Sequence, residues 1–454
     1  MGTMRTYTYT LRALLAASLA VAVSGGTSAA DASARSSNTM SVASDSAAPW
    51  SPVAVAQVAR ECRLSPKLLK SAYPEMSITP FAVIRFGKLC WSGGGQKGLN
   101  ETYEVMSEAK TFTAVLFGIV AARTNVDENT LVRDWLTPGE MNVDAGATLL
   151  TLPPLNPNAR VFNLLTQTGQ DPDLQYGYRP PWFYDAAGAF GMNSLITLMD
   201  KVVRANPQAF PGSYSISDVA KNELFKPLGM TRTHWDGVVA SHTLYSTVFD
   251  MAKFGELLLR QGRWGNRVIV DPDYVYRMSH PQVEDIHTGY GYLTWLNDAK
   301  GGAVLFQQKT EPSCSPFAGW KRYPHAPTYD APSDNGGSPF PDGADDGVFW
   351  ADGAGGNFTE IHRGLDMVLV VREDETAQKS DPTSQQIGRR SNVEGLEYHR
   401  TWRILRPALV AADPRFRGDE AAFCKAYQNG TYAPDLVSPW RSTSGFGSVH
   451  LKDR

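Results

Sequence analysis

Apolar positions along this chain recur with two different periods, and those periods divide it into helical and extended stretches. In "VMSEAKTFTAVLFGIV" (residues 105–120), Phe112, Val115, Leu116, Ile119 and Val120 make one stripe of a helix that opens at Ser107. Helical spacing returns in "NSLITLMDKVVRAN", where Asn193 is a suitable N-cap, and in "SISDVAKNELFKPLGM". It returns again in "STVFDMAKFGELLLRQG", whose Met251, Phe254, Leu257 and Leu258 share a face. A last helical pattern, "LEYHRTWRILRPALV", is suited to packing on a sheet. By contrast, "PFAVIRFGKLCW" (Pro80 to Trp91) reads as two β runs about a turn at Gly87-Lys88. The β signal resumes at "GYGYLTWLN" (Gly289 to Asn297). "GVFWADGAGGNFTEIHRGLDMVLVVRED" then reads as strands joined by turns at Gly353 to Gly356 and Arg363 to Asp366.

Strands near both ends, with a mainly helical middle, imply one sheet assembled from remote segments and an inserted helical region. Residues 308–347 are rich in Pro, Gly, Ser and Asp without periodicity, and loops of that length are usually functional or disordered. Residues 31–50 read as a flexible linker with too little apolar content to fold. Ahead of it, residues 1–30 carry Arg5 and Arg12, the apolar run "ALLAASLAVAV" and small residues ending near Ala30, the pattern of a cleaved secretory signal. The apolar run is too short for a hydrocarbon layer of about 30 Å, so no stable membrane anchor is expected. No cysteine stands near the cleavage region, which argues against a lipoprotein. The expected plan is export to the periplasm or beyond, with residues 51–454 as one domain.

Composition narrows the chemistry. The 454 residues are 42% hydrophobic with a net charge of -3 and no basic run, so a nucleic-acid partner is not expected. Export would permit disulfides among Cys62, Cys90, Cys314 and Cys424, which can pair in three ways. Pairing of near neighbours, Cys62 with Cys90 and Cys314 with Cys424, is the preferred expectation. No Cys-x-x-Cys or His-Glu-x-x-His spacing points to a metal, and His362 and His399 read as surface or structural residues. Asp345-Asp346 reads as solvated loop charge, and "SGGGQKG" (Ser92 to Gly98) as a flexible turn without the P-loop pattern. No serine sits in Gly-x-Ser-x-Gly.

One pair of residues stands out. Ser107 and Lys110 are three apart, so on a helix their side chains lie on the same side of the first turn. Ser-x-x-Lys is a weak signal by itself, and this is its single occurrence in the chain. A helix N-terminus would favour negative charge on the serine oxygen. The plainer alternative is an N-cap serine beside a solvated lysine.

The order of Ser-x-x-Lys, "WFYDAAGAF", "LFKPLGMTRT", "YSTVFDMAKFGELLLRQGRWGNRVI", "YGYLTWLN" and "WADGAGGNF" resembles the serine β-lactamase-like hydrolases over about residues 75–410. The nearest branch looks like the esterases and nylon-oligomer hydrolases. That resemblance implies a β-lactamase/transpeptidase-like α/β fold, an antiparallel sheet with flanking helices plus an inserted helical region. It implies Ser107 as acylated nucleophile, Lys110 as a base kept neutral by desolvation or nearby positive potential, and Tyr184 as proton relay. The backbone N–H groups of Ser107 and Ala354 would form the oxyanion hole. Asp352, Gly353 and Asp185 would face substrate, and the aromatic run Tyr176 to Tyr184 either lines the pocket or packs. No cofactor and no metal are implied. Two departures shape the expected substrate. Ala186 stands where the family's tyrosine motif carries Asn, and Ala351 and Asp352 replace groups that hold a substrate carboxylate. A neutral or amine-bearing small-molecule ester or amide is therefore expected. A D-amino-acid peptidase, a β-lactamase and a non-catalytic scaffold are the alternatives.

Overall fold

Main-chain pairing in the computed structural model builds one large antiparallel sheet from both ends of the chain. The structure describes residues 52–76, 79–142, 155–169, 191–283, 290–296, 348–353, 357–372, 405 and 407–414. Its strands are β1 (Phe81–Arg85), β2 (Lys88–Gly93), β3 (Tyr103–Glu104), β4 (His234–Val239), β5 (His242–Ser246), β6 (Arg263–Trp264), β7 (Arg267–Val268), β8 (Trp295–Leu296), β9 (Val348–Gly353), β10 (Asn357–His362) and β11 (Met367–Val371). Its α-helices are α1 (Val58–Glu61), α2 (Pro66–Met76), α3 (Gly95–Asn100), α4 (Glu108–Ala121), α5 (Val161–Leu165), α6 (Gly191–Ala205), α7 (Ile216–Val219), α8 (Lys226–Leu228), α9 (Val248–Leu259) and α10 (Pro272–Met278). Six strands in the order β2-β1-β11-β10-β9-β8 form the main sheet, and every pair in it is antiparallel.

The central strands are covered on both faces, which explains why β1 and β11 read as continuous apolar runs. Helix α9 lies on one face so closely that a Cβ on Gly255 would fall 2.5 Å from Val368 Cγ1. On that same face Thr359 of β10 meets α4. The other face holds Arg85, whose guanidinium pairs with Asp413 at 2.7 Å with both side chains fully buried. Helical residues 407–412 follow on this side, where Ser65 N–H donates to Ala408 O. Cys62 and Cys90 form a disulfide that joins the end of α1 to β2; Cys314 and Cys424 lie outside the described residues.

Several expectations need correction. The middle of the chain is mainly helical as expected, but β4 and β5 make a hairpin there that no pattern announced and join β3 in a three-stranded sheet. Strand β4 has no buried residue, and its Trp235, Val238 and Val239 do not alternate with its polar positions, so it carries no strand-period apolar signal. Asn193 is not an N-cap but the third residue of α6, and its side-chain oxygen accepts the Ala240 N–H instead. Residues Ser92 to Gly98 are not a flexible turn, because α3 begins at Gly95. The glycines serve close packing there: a Cβ on Gly94 would lie 2.5 Å from Pro80 Cα. The β1–β2 turn falls at Phe86-Gly87, both with positive φ, and Lys88 already belongs to β2. Of the two readings given for His362, surface or structural, the structural one holds: it is 1% exposed, with Nε2 2.6 Å from Glu360 Oε1. The helix after Ser215 passes through a π turn at Ala220–Phe225 just before Pro227, whose missing N–H breaks the regular ladder. The 308–347 loop, the leader, the linker, His399 and Asp345-Asp346 lie outside the described residues. Among those residues no helix is long and apolar enough to cross a membrane.

Candidate active site

Strand β3 runs directly into the turn that presents Ser107. Val105 N–H donates to Leu244 O at 2.9 Å, extending the β3–β5 ladder by one residue. Met106 then turns with φ +54°, an uncommon conformation for a side chain of its size, and Ser107 starts the helix. Strand β9 presses on this turn from the other side. A Cβ on Gly353 would lie 2.2 Å from Val105 O, so only glycine allows the approach. Further along, Thr111 Oγ1 donates to Leu293 O at 2.9 Å and Leu293 N–H to Leu165 O at 2.8 Å. Leu293 also has a positive φ, +48°. Two non-glycine residues in left-handed conformations thus bracket the opening of α4.

Helix α4 is buried along nearly its whole length rather than on one stripe. Ser107 is its N-cap by backbone geometry, yet its hydroxyl makes no capping bond. Instead Lys110 Nζ donates to Ser107 Oγ at 2.9 Å. Lys110 is only 2% exposed, and Ser107 is half-buried. The Ser107 N–H meets no backbone carbonyl among the described residues.

A second polar group sits where sequence reasoning saw only the helix start. Glu108 is fully buried; its Oε1 accepts from Thr359 Oγ1 at 2.7 Å, and its Oε2 has no partner. Burial pushes its carboxyl well above the ordinary range, Asp352 adds to the rise, and the Thr359 bond only opposes it. Tyr103, at the start of β3, has a buried hydroxyl also without a partner. Its pKa is raised well above the ordinary value by burial, then by Glu108, against the Arg372 guanidinium over its ring. Negative charge is disfavoured on this flank. Asp352, half-buried on β9, is near enough for its charge to act on Glu108.

The structure therefore brings together Ser107, Lys110, Asp352 and Gly353. Tyr184, Asp185, Ala186 and Ala354, along with the rest of Tyr176 to Tyr184, lie outside the described residues. Sequence reasoning missed Glu108 and Tyr103. Glu108 gave one readable signal: a carboxylate inside an otherwise apolar stretch is either a solvated N-terminal acid or a buried one. No group of three or more His, Cys, Asp or Glu residues suited to a metal ion occurs among the described residues.

A buried amine bonded to a half-exposed hydroxyl at a helix N-terminus can activate that oxygen towards an electrophilic carbon. No family model and no curated protein matches the chain. Solved structures with related chain traces include a candidate β-lactamase from Bacteroides dorei, 15% identical, covering 75% of this chain and 97% of that one, TM-score 0.44. An octameric penicillin-binding protein homologue from Pyrococcus abyssi is 14% identical over 77% of this chain and 78% of its own, TM-score 0.42. A β-lactamase from Mycobacterium bovis is 15% identical over 71% and 96%, TM-score 0.40.

Proposed function

We propose that this chain is an exported serine hydrolase that cleaves a carboxylic ester or amide through an acyl-enzyme on Ser107. The observation that carries the reading is the 2.9 Å contact between Lys110 Nζ and Ser107 Oγ at the head of a buried helix. In the reacting form the amine is uncharged and takes the Ser107 proton as the oxygen attacks the carbonyl carbon. Enclosure at 2% exposure disfavours the ammonium and so supports that role. The tetrahedral oxyanion forms near the first turn of α4, where the Ser107 N–H meets no backbone carbonyl among the described residues and the helix dipole is positive. The Ala354 N–H is its second donor in this reading, and Tyr184 carries the proton to the leaving group. Nucleophile, base and donors are all protein groups, so no cofactor takes part.

Substrate choice follows from Asp352. Its carboxylate beside the site repels a substrate carboxylate, which favours neutral or amine-bearing esters and amides over penicillins and cephalosporins. Residues 1–30 act as the export leader, in keeping with the Cys62–Cys90 disulfide. A substrate panel of p-nitrophenyl esters, nitrocefin and aminohexanoate oligomers tests the reading. Ester turnover that falls at least ~1,000-fold in Ser107→Ala is expected. Turnover of nitrocefin above that of the esters would overturn the substrate assignment. Ester turnover unchanged in Ser107→Ala would overturn the nucleophile.

A further inference from the structure

The β4–β5 hairpin is driven into the protein tip first. Val239 pairs with His242, and the two residues between them, Ala240 and Ser241, are 0% and 1% exposed. Hairpin tips ordinarily lie in water, since their backbone groups need partners. Here the partners are supplied by two helices. Thr113 Oγ1 of α4 donates to Ala240 O at 3.1 Å, and Asn193 Oδ1 of α6 accepts the Ala240 N–H at 3.1 Å. Thr113 follows Lys110 by three residues and so lies on the same side of α4.

The strand pairing delivers His242 to the same place. Tyr103 pairs with Ser246, Glu104 with Tyr245, and the Val105 N–H reaches Leu244 O. That ladder ends at Val105 and Leu244, where Met106 and Thr243 both take positive φ, and His242 stands close enough to Lys110 for the lysine's charge to act on it. The backbone around His242 is pinned: Trp235 Nε1 donates to His242 O at 3.1 Å, and the Thr243 N–H donates to Glu104 Oε1 at 2.9 Å. Thr243 itself has φ +63°, a rare conformation for a β-branched residue and one that bends the strand beside the site. The imidazole is half-buried, its Nδ1 sits 2.8 Å from Ser241 Oγ, and its Nε2 makes no hydrogen bond among the described residues.

We propose that His242 is a second base of this site, the group that accepts a proton from the water attacking the acyl-enzyme. The inference rests on the acyl-enzyme reading of Ser107. In the tautomer with Nδ1–H donating to Ser241 Oγ, Nε2 carries the lone pair. Water oxygen bonds to the acyl carbon while its proton passes to Nε2. The tetrahedral intermediate then breaks its bond to Ser107 Oγ, and that oxygen takes the proton back from the imidazolium. Carboxylic acid leaves, and serine and neutral imidazole are restored. Lys110 serves formation of the acyl-enzyme and His242 its hydrolysis. Burial lowers the histidine's pKa, the Glu104 carboxylate of β3 opposes it, and the Lys110 amine of α4 adds to the lowering only when protonated. Strand β4 carries His234 and Asp236 towards the open end of the hairpin, and α6 brings the neutral Asn193. The imidazole is therefore the free base at neutral pH.

The test is pre-steady-state hydrolysis of p-nitrophenyl acetate by the full chain and by His242→Gln. The variant is expected to release one nitrophenolate per chain in a burst and then turn over about 100-fold more slowly than wild type. Intact-protein mass spectrometry should find the acetyl group retained on Ser107. In wild type, the deacylation rate should fall on acidification with a midpoint below the ordinary histidine value of about 6.5. Fluorophosphonate labelling of His242→Gln at the wild-type rate shows that Ser107 and Lys110 are intact in it. A steady rate in the folded variant within about threefold of wild type overturns the proposal. So does a wild-type deacylation rate that is flat between about pH 5 and 8, which decides the matter even where the variant fails to fold. If wild type forms no acetyl adduct on Ser107 at all, the acyl-enzyme reading falls and this inference falls with it. An adduct whose hydrolysis ignores His242 overturns the inference alone.

Discussion

A serine at a helix N-terminus ordinarily turns its hydroxyl onto the backbone of the first turn. Ser107 does not, because Lys110 Nζ holds its oxygen, and the proposed nucleophile role rests on that departure from capping. Replacing Lys110 with Met keeps the buried stem and removes the amine. The fold should survive, by thermal denaturation, while kcat for ester hydrolysis drops about 10²- to 10⁴-fold. Glu108 carries a different expectation. Its carboxyl titrates higher in the folded chain than in the unfolded one, because burial disfavours the anion. The stability it contributes is therefore complete at acid pH and is lost as pH rises from the ordinary glutamate range towards the folded value, about 1.4 kcal/mol for each unit of elevation. Urea titrations of wild type and Glu108→Gln across that range should show the variant gaining on wild type as pH rises. A constant difference would mean that Glu108 is not held neutral. At this scale the sequence made Ser107 and Lys110 legible through spacing, whereas Glu108, Tyr103 and His242 depend on contacts from β3, β5 and β10 that no local pattern announces.

Elements with many apolar positions were readable and elements with few were not. Helix α9 shows the first case, with Met251, Phe254, Leu257 and Leu258 all at 0% exposure. Strands β4 and β5 show the second: their edge carries His234 and Asp236, and pairing through backbone groups needs no apolar alternation. The junction of β9 with the start of α4 is the element contact on which the site depends. Gly353→Ala drives a methyl into Val105 O and must move either the strand end or the turn that presents Ser107. Ester kcat should fall about tenfold or more, with a loss of no more than about 3 kcal/mol in stability. Unchanged kinetics in that variant would show that β9 does not set the position of Ser107.

For the molecule as a whole, strands from residues 81–93 and 348–371 share one sheet, so its integrity depends on ties between remote segments. The buried Arg85–Asp413 pair is one, since Arg85 also donates to Leu365 O, Cys62 O and Arg63 O. Asp413→Ala leaves that guanidinium's charge without its carboxylate in a buried site and should cost about 3–5 kcal/mol in urea unfolding. The Cys62–Cys90 bond is another: closing a loop of 28 residues is worth about 3.5 kcal/mol, so reduction should lower the unfolding midpoint accordingly. The sheet's origin in both ends of the chain was legible from where the β runs fall, but the face that Arg85 takes was not, because its partner lies more than three hundred residues away. The central claim, that an uncharged neighbouring amine makes Ser107 a nucleophile, is tested most directly by peptide mapping after treatment with a fluorophosphonate. The expected result is a single adduct on Ser107 in wild type that is absent from Lys110→Met under the same conditions. Labelling at other serines only, or equal labelling of Ser107 with and without the Lys110 amine, would contradict it.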